Sequence, residues 1–372
     1  MQVESWRREG LQRRYMRYLV SMLASLATIT GTACHTGATA TEAPILRAAQ
    51  EDMESAKDRF YSAIWFRDAD FVKECLKKDP SLIRCRNNRD GLTALQEACL
   101  SGLPGYRPVG TSMTDIPPFY PESYEVVRLL VDRGAPMDVY SAAFLGHTDV
   151  VTEEIRKHPE ILKQTEKPSE MLMLWAALGG HENVVQLLID AGSPVNVKSR
   201  DDSPLHLAVK YSRGGVVEQL LDAHADVNAM NGAGQTPLVC ACSLGGSKAL
   251  PLARLLLAHS AKVNTQDDFG DTALHNAVWV YPAVDRNQVE LVRFLLSRGA
   301  DVNIAGFDGK TPLHRAAYRG NPEMVKALLE GGANPQARDN RGNTPLQIAI
   351  DNKQEEVAAL LRRYEPTQQG GR

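Results

Sequence analysis

The residues of this 372-residue chain with most chemical potential are six cysteines, nine histidines and a series of aspartates. An activated thiolate or a Ser/His/Asp set would mean nucleophilic catalysis, and a Cys/His quartet would mean zinc. The spacings support neither. No CxxC or Cys/His zinc pattern occurs. Cys240 and Cys242 flank Ala241 where similar stretches carry small or apolar residues, which reads as core filling. Cys75, Cys85 and Cys99 lie close enough in sequence to allow one disulfide, although the five cysteines beyond Cys34 cannot all pair. His206, His275 and His314 recur at one place in a repeated signature. Asp267 and Asp339 also recur, as turn formers. No catalytic set, phosphate loop or carboxylate pair stands outside this recurrence, so no catalytic residue, cofactor or metal is expected.

The elements that position these residues come in repeats, which a chain of this length invites looking for first. A Thr-Pro-Leu-His signature or a close variant begins at Thr93, Ser203, Thr236, Thr272, Thr311 and Thr344. From Ser203 onward the starts are spaced by 33, 36, 39 and 33 residues. Each is followed by an apolar helical stripe ending in Leu-Leu, then Gly-Ala or a variant, then Val-Asn. Thr supplies an N-cap oxygen, and Pro at the first helical position lacks the N–H that would be orphaned there. Apolar residues at helical spacing, such as Met324, Val325, Leu328 and Leu329, make a second helix. Gly299 and Gly332 suit a left-handed C-cap. One such unit cannot bury its own apolar face, so the units must stack.

Period, Thr-Pro-Leu-His, Leu-Leu-x-x-Gly-Ala and Val-Asn together resemble the ankyrin repeat family. Three degenerate units extend the likeness toward the N-terminus, through Phe60–Leu76, Val139–His147 and Leu172–His181, so it covers roughly residues 57–363. It implies an all-α solenoid of about nine helix-turn-helix units with short β-hairpin-like fingers. The repeat domain is expected over 44–364, with a disordered tail at 365–372. Residues 44–56 read as a polar helical lead-in, and Gln354, Glu355 and Glu356 make the last helix a polar cap. The resemblance also implies that the three histidines bond locally and hold adjacent turns. It further implies partner binding by finger tips and a concave face of first helices. Carried over position by position, the tips are Arg89, Asp90, Arg200, Asp202, Gln235, Phe269, Asp271, Phe307, Lys310, Asn340, Arg341 and Asn343. The third and fourth units lack a normal finger sequence, which interrupts that surface.

Departures from the period carry further expectations. The unit starting at Thr93 has about 20 extra residues, roughly 103–122, in which five prolines are interleaved with Tyr106, Phe119 and Tyr120. Shorter insertions lie near Tyr281 to Arg286, beside Trp279, and near Gly246 to Lys248. All fall between the two helices of a unit. Tyr106, Phe119, Tyr120, Trp279 and Tyr281 thus define a second candidate surface, against the simpler reading of tolerated insertions. His224 and Ser260 replace the C-cap glycine; His tolerates a left-handed backbone better than most residues.

The first 33 residues carry five arginines against two glutamates and the whole chain a net charge of -3, so the remainder is mildly acidic. That argues against nucleic acid as a partner. Five arginines before the uncharged run Tyr18 to Ala33 read as an export signal over 1–33. At 16 residues the run is short for a membrane span of ~20 residues, although a signal anchor stays open. Cys34 follows Gly31-Thr32-Ala33, which resembles a bacterial lipobox apart from Gly31. Lipidation of Cys34 and ordinary cleavage after Ala33 or Ala40 stand as alternatives, with 34–43 as a flexible tether. The expected protein is a monomeric interaction module outside the cytoplasm, periplasmic or lipid-anchored in the cell envelope, that touches membrane only through an anchor or uncleaved signal. The competing expectation is a structural or protective accessory of an exported envelope enzyme; an enzyme with its site at 103–122 comes third.

Overall fold

A computed structural model describes residues 56–65, 67–87, 91–101, 122–163, 171–197, 202–279 and 286–364. The signal, Cys34, the tether, nearly all of the 44–56 lead-in, the 103–121 insertion and the tail lie outside them. The described residues form nine helix pairs. Unit 1 pairs α1 (56–65) with α2 (Ala69–Lys78), unit 2 α3 (Ala94–Ser101) with α4 (Glu122–Asp132), and unit 3 α5 (Val139–Leu145) with α6 (Thr148–Lys157). Unit 4 pairs α7 (Leu172–Gly179) with α8 (Glu182–Asp190), unit 5 α9 (Pro204–Lys210) with α10 (Gly214–Asp222), and unit 6 α11 (Pro237–Cys242) with α12 (Gly246–Ala258). Unit 7 pairs α13 (Ala273–Trp279) with α14 (Arg286–Ser297), unit 8 α15 (Pro312–Arg319) with α16 (Pro322–Glu330), and unit 9 α17 (Pro345–Asp351) with α18 (Glu355–Arg362). The first helices pack on one another in one layer and the second helices in another.

The sequence explains the layering. Leu95, Leu205, Leu238, Leu274 and Leu313 are buried on the first helices, and Ala142, Ala176, Ala208, Ala241, Ala277 and Ala316 let neighbouring helices approach closely. Second helices contribute Leu130, Leu188, Leu220, Leu256, Leu295 and Leu328, so one continuous core runs from unit to unit. Ser203, Thr236 and Thr344 cap the helices behind them, each with proline at the first helical position. Cys99, Cys240 and Cys242 are buried, and all five described cysteines are free thiols.

The Val-Asn signature ties the units together. Asn196 donates to the carbonyl of His224 at 3.0 Å and accepts from the amide of Asp226 at 2.7 Å. Asn228, Asn264 and Asn303 repeat this with Ser260 and Lys262, Gly299 and Asp301, and Gly332 and Asn334. His224 and Ser260 adopt φ of 64° and 68°, the left-handed conformation expected where glycine is replaced. The carbonyl that each presents is the one the asparagine ladder uses.

Two features differ from the sequence expectation. Gly246 to Lys248 do not emerge as an edge loop; they form the first turn of α12, which at 13 residues is the longest described helix after its neighbours are compared. Pro251 thereby falls inside a helix beyond its first turn, where it removes the i→i−4 bond to the Ser247 carbonyl. Gly179, where unit 8 carries Arg319, ends a helix that touches the backbone of Phe144 so closely that a Cβ would collide with it. Overpacking costs about 1–3 kcal/mol, against about 1 kcal/mol gained in helix propensity. Gly179→Ala is therefore expected to lower the urea midpoint, and a raised midpoint would show that the two backbones do not meet.

Candidate binding surface

The regular fingers are five-residue hairpins, closed in three units by one Asx turn and in the Phe307 finger by Gly306, whose amide donates to the Lys310 carbonyl. Asp267 Oδ1 accepts from the amides of Phe269 and Asp271, both at 2.9 Å, and the Asp267 amide donates to the Asp271 carbonyl. Asp339 and Asn231 do the same in their units. Gly270 and Gly342 supply the left-handed residue that such a tight turn demands. The fingers bond edge to edge. The amides of Asp268, Phe307 and Asn340 donate to the carbonyls of Ala233, Phe269 and Asp308. The hairpin-like geometry is present, yet among the described residues no strand forms, and Arg86 and Thr93 make an isolated bridge.

The histidines fasten helix to finger. The Thr272 amide donates to Nδ1 of His275 at 3.1 Å, which places the ring hydrogen on Nε2, 3.1 Å from the Lys310 carbonyl of the next finger. His314 joins Thr311 to Asn343, and His206 joins Ser203 to Gln235. All three rings are buried, and burial holds their pKa below the ordinary value, for His275 at about 4 with the Arg315 charge adding to the effect. Among the described residues no group of three or more His, Cys, Asp or Glu side chains could hold a metal ion.

The expected tip residues divide by what their side chains do. Phe269 and Phe307 project with 65% and 72% of their surface exposed. Met230, at the preceding finger and not anticipated from the sequence, is similarly exposed. Asn340 and Arg341 are exposed, although the Asn340 amide also holds the Phe307 carbonyl at 2.7 Å. Asp271 is different: it is buried and bound by Nη2 of Arg315 at 2.6 and 2.7 Å, so it braces the finger against α15. Burial raises its pKa, with the Arg315 charge opposing. Asp202 is held by Lys210 at 2.7 Å and by Asn231 at 3.0 Å, and Lys310 pairs with Asp308 at 2.9 Å. Gln235 and Asn343 are half-buried and lend their carbonyls to His206 and His314. Arg89, Asp90 and Arg200 lie outside the described residues, as do Tyr106, Phe119, Tyr120 and Tyr281.

Trp279, expected beside an insertion, stacks on Tyr318 of the next first helix, ring centres 5.7 Å apart and planes 25° apart. With Tyr318 it forms an exposed apolar stripe on the first helices of units 7 and 8, and Ile350 of unit 9 is also exposed. Sequence reading missed Tyr318 and Ile350; for Tyr318 the signal was there, since it sits four residues beyond His314 as Trp279 sits four beyond His275, whereas Ile350, three beyond Gln347, occupies the position of the buried Val278 and Ala317. Unit 4 offers no such stripe. Its first helix is buried from Leu172 to Leu178, with Trp175 packed against Tyr140 and Phe144.

A family model described as ankyrin repeats (3 copies) matches residues 139–231, 212–305 and 280–369. The chain is similar to ZDHHC13 of Danio rerio, which carries a palmitoyltransferase name, with 26% identity over 67% of this chain and 38% of that protein. It is similar to the nuclear factor NF-kappa-B p105 subunit of Gallus gallus, with 32% identity over 49% of this chain and 19% of that one. Rabankyrin-5 of Homo sapiens shares 34% identity over 42% of this chain and 13% of its own length. The chain thus spans well under half the length of these relatives. With the period, the finger turns, the histidine bonds and the asparagine ladder all in place, the chain belongs to the ankyrin repeat family.

Proposed function

We propose that this protein is an exported interaction module that holds a protein partner on the fingers and first-helix face of units 5 to 9. Ankyrin repeats mark a protein–protein interaction module. The exposure of Phe269 and Phe307 carries the choice of surface, because folded proteins rarely leave large aromatics in water at adjoining turns and interface anchors are drawn from such residues. Binding, with no catalytic step, accounts for every recurrent His and Asp as turn and helix fastening. A mildly acidic body fits a protein partner better than nucleic acid. The test compares cross-linked partner capture from the cell-envelope fraction by wild type and by the Phe269→Ala/Phe307→Ala variant; equal capture would exclude this surface.

The proposal of export rests on Arg7, Arg8, Arg13, Arg14 and Arg17 ahead of the apolar run to Ala33. Cys34 after Ala33 supports a lipid tether to the envelope. Cells grown with a fatty-acid analogue are expected to label the wild-type protein and not Cys34→Ala. An unlabelled wild-type protein recovered in soluble form would end the lipid anchor and leave simple secretion.

A further inference from the structure

We infer that the finger tips of units 7 to 9 take a second copy of this chain, in an antiparallel two-fold pairing with Phe307 at its centre. This rests on the reading that the tips hold a protein, and names that protein. A monomer is the expectation from the sequence; the order of side chains along the tips points instead to a pair.

The tips form a fixed row. The Phe307 amide donates to the Phe269 carbonyl at 2.9 Å and the Asn340 amide to the Asp308 carbonyl at 3.1 Å, which joins the three fingers edge to edge. Asp268, Phe307 and Asn340 occupy the same position of successive turns. Each lays its side chain over a glycine of the finger before, at Gly234, Gly270 and Gly309. Phe269, Asp308 and Arg341 follow them in the three turns. The row thus runs from an acid, through two exposed rings, to a base.

Both end charges are available. Asp268 and Arg341 are exposed, and among the described residues neither side chain has an ion pair or a hydrogen bond. Asp308 is engaged by Lys310 of its own finger at 2.9 Å, so it leaves no bare charge beside Phe307. An acid and a base standing one finger to either side of an exposed ring make the row complementary to its own reverse. A two-fold axis through the Phe307 finger sets ring against ring and brings Asp268 of each copy to Arg341 of the other. Such an isologous contact, in which each residue of a pair appears twice, is the commonest form of self-association. A parallel pairing would oppose like charges at both ends. A segment of one sign would suit one end of the row and be repelled at the other. Three turns a side make a small patch, at the low end of specific interfaces, so the pairing should be reversible and concentration-dependent.

Sedimentation of the full chain over a range of concentrations tests this, with Cys34→Ala throughout so that no acyl group drives association. The expected result is a monomer–dimer equilibrium that weakens at high salt. Asp268→Arg and Arg341→Asp each place two like-charged pairs face to face and should weaken it at least about tenfold. Mixed in equal amounts, the two variants should pair with each other about as well as wild type, because every facing pair is again opposite in sign. Unchanged melting midpoints keep these losses free of unfolding. If either variant melts early, Asp268→Asn and Arg341→Gln take their place and should each weaken pairing severalfold. A chain that stays monomeric at every concentration, or a mixture no more associated than either variant alone, would overturn the second copy. Partner capture then decides the surface: loss of capture by Phe269→Ala/Phe307→Ala would leave the fingers standing as a site for another protein, and equal capture would overturn both.

Discussion

Acidifying the protein is expected to weaken it from about pH 6.5 downward, well above the carboxylate range. In the unfolded chain His275 takes up a proton near pH 6.5. In the folded protein it resists until about pH 4, because the ring is buried beside the Arg315 charge. Between those values the unfolded state binds more protons, so stability falls as pH falls, by an upper limit of about 3 kcal/mol for this one ring. Above pH 6.5 the contribution is complete. His206 and His314 shift in the same direction and add to the loss. Asp308 and Asp339, whose carboxyls are held below their usual range, add theirs only below about pH 4. The mechanism is visible in the bonds: a protonated ring would turn Nδ1 from acceptor into donor, facing the Thr272 amide that now donates to it.

Unit 2 suggests the control. There Gln96 takes the histidine's place, and its Oε1 accepts from the Thr93 amide at 2.8 Å. Glutamine performs the fastening without titrating. His275→Gln should therefore be about 1 kcal/mol less stable at neutral pH and distinctly less sensitive between pH 6.5 and 4. Urea midpoints measured across that range check this. A variant that lost as much stability as wild type over the same window would mean that His275 is not a titrating group there.

The second large effect concerns binding. Replacing Phe269 and Phe307 together with alanine is expected to weaken partner binding by about a hundredfold, the scale of two interface anchors. Stability should change by less than about 1 kcal/mol, since most of each ring is already in water. The Phe307 ring does lie on the Gly270 backbone, which sets its direction. Finger geometry does not depend on the rings. The backbone of Phe307 is pinned by its amide bond to the Phe269 carbonyl and by the Asn340 amide on its own carbonyl. Isothermal titration with the captured partner, beside a thermal melt, separates the two effects. Loss of binding with a matching loss of melting temperature would return these rings to the fold.

The regular units were legible because each local choice agrees with the others: cap, proline, small residues, stripe and turn former recur at fixed spacing. Even the degenerate first helix from Leu172 could be placed, since Gly180 and His181 preserve the end of the pattern. What stayed hidden is what the period conceals. Trp279 and Tyr318 are 39 residues apart, but the extra residues of unit 7 place them on one face. Asp271 reads as a tip residue by position, and only Arg315, 44 residues later, reveals it as a brace. Ser212 and Lys353 end first helices with φ of 57° and 58°, with no glycine to announce it. The next helix enforces that conformation, through the Arg213 and Gln354 amides reaching back to Ala208 and Ala349.

The asparagine ladder has a mechanical side. Every rung from Asn196 to Asn303 joins a unit only to its immediate neighbour, and none spans the stack. Drawn out lengthwise, such a chain loads its clasps in series, so it should peel from an end and lengthen in steps of about one repeat. The row of asparagines is then expected to yield one clasp at a time while the units further along keep their shape.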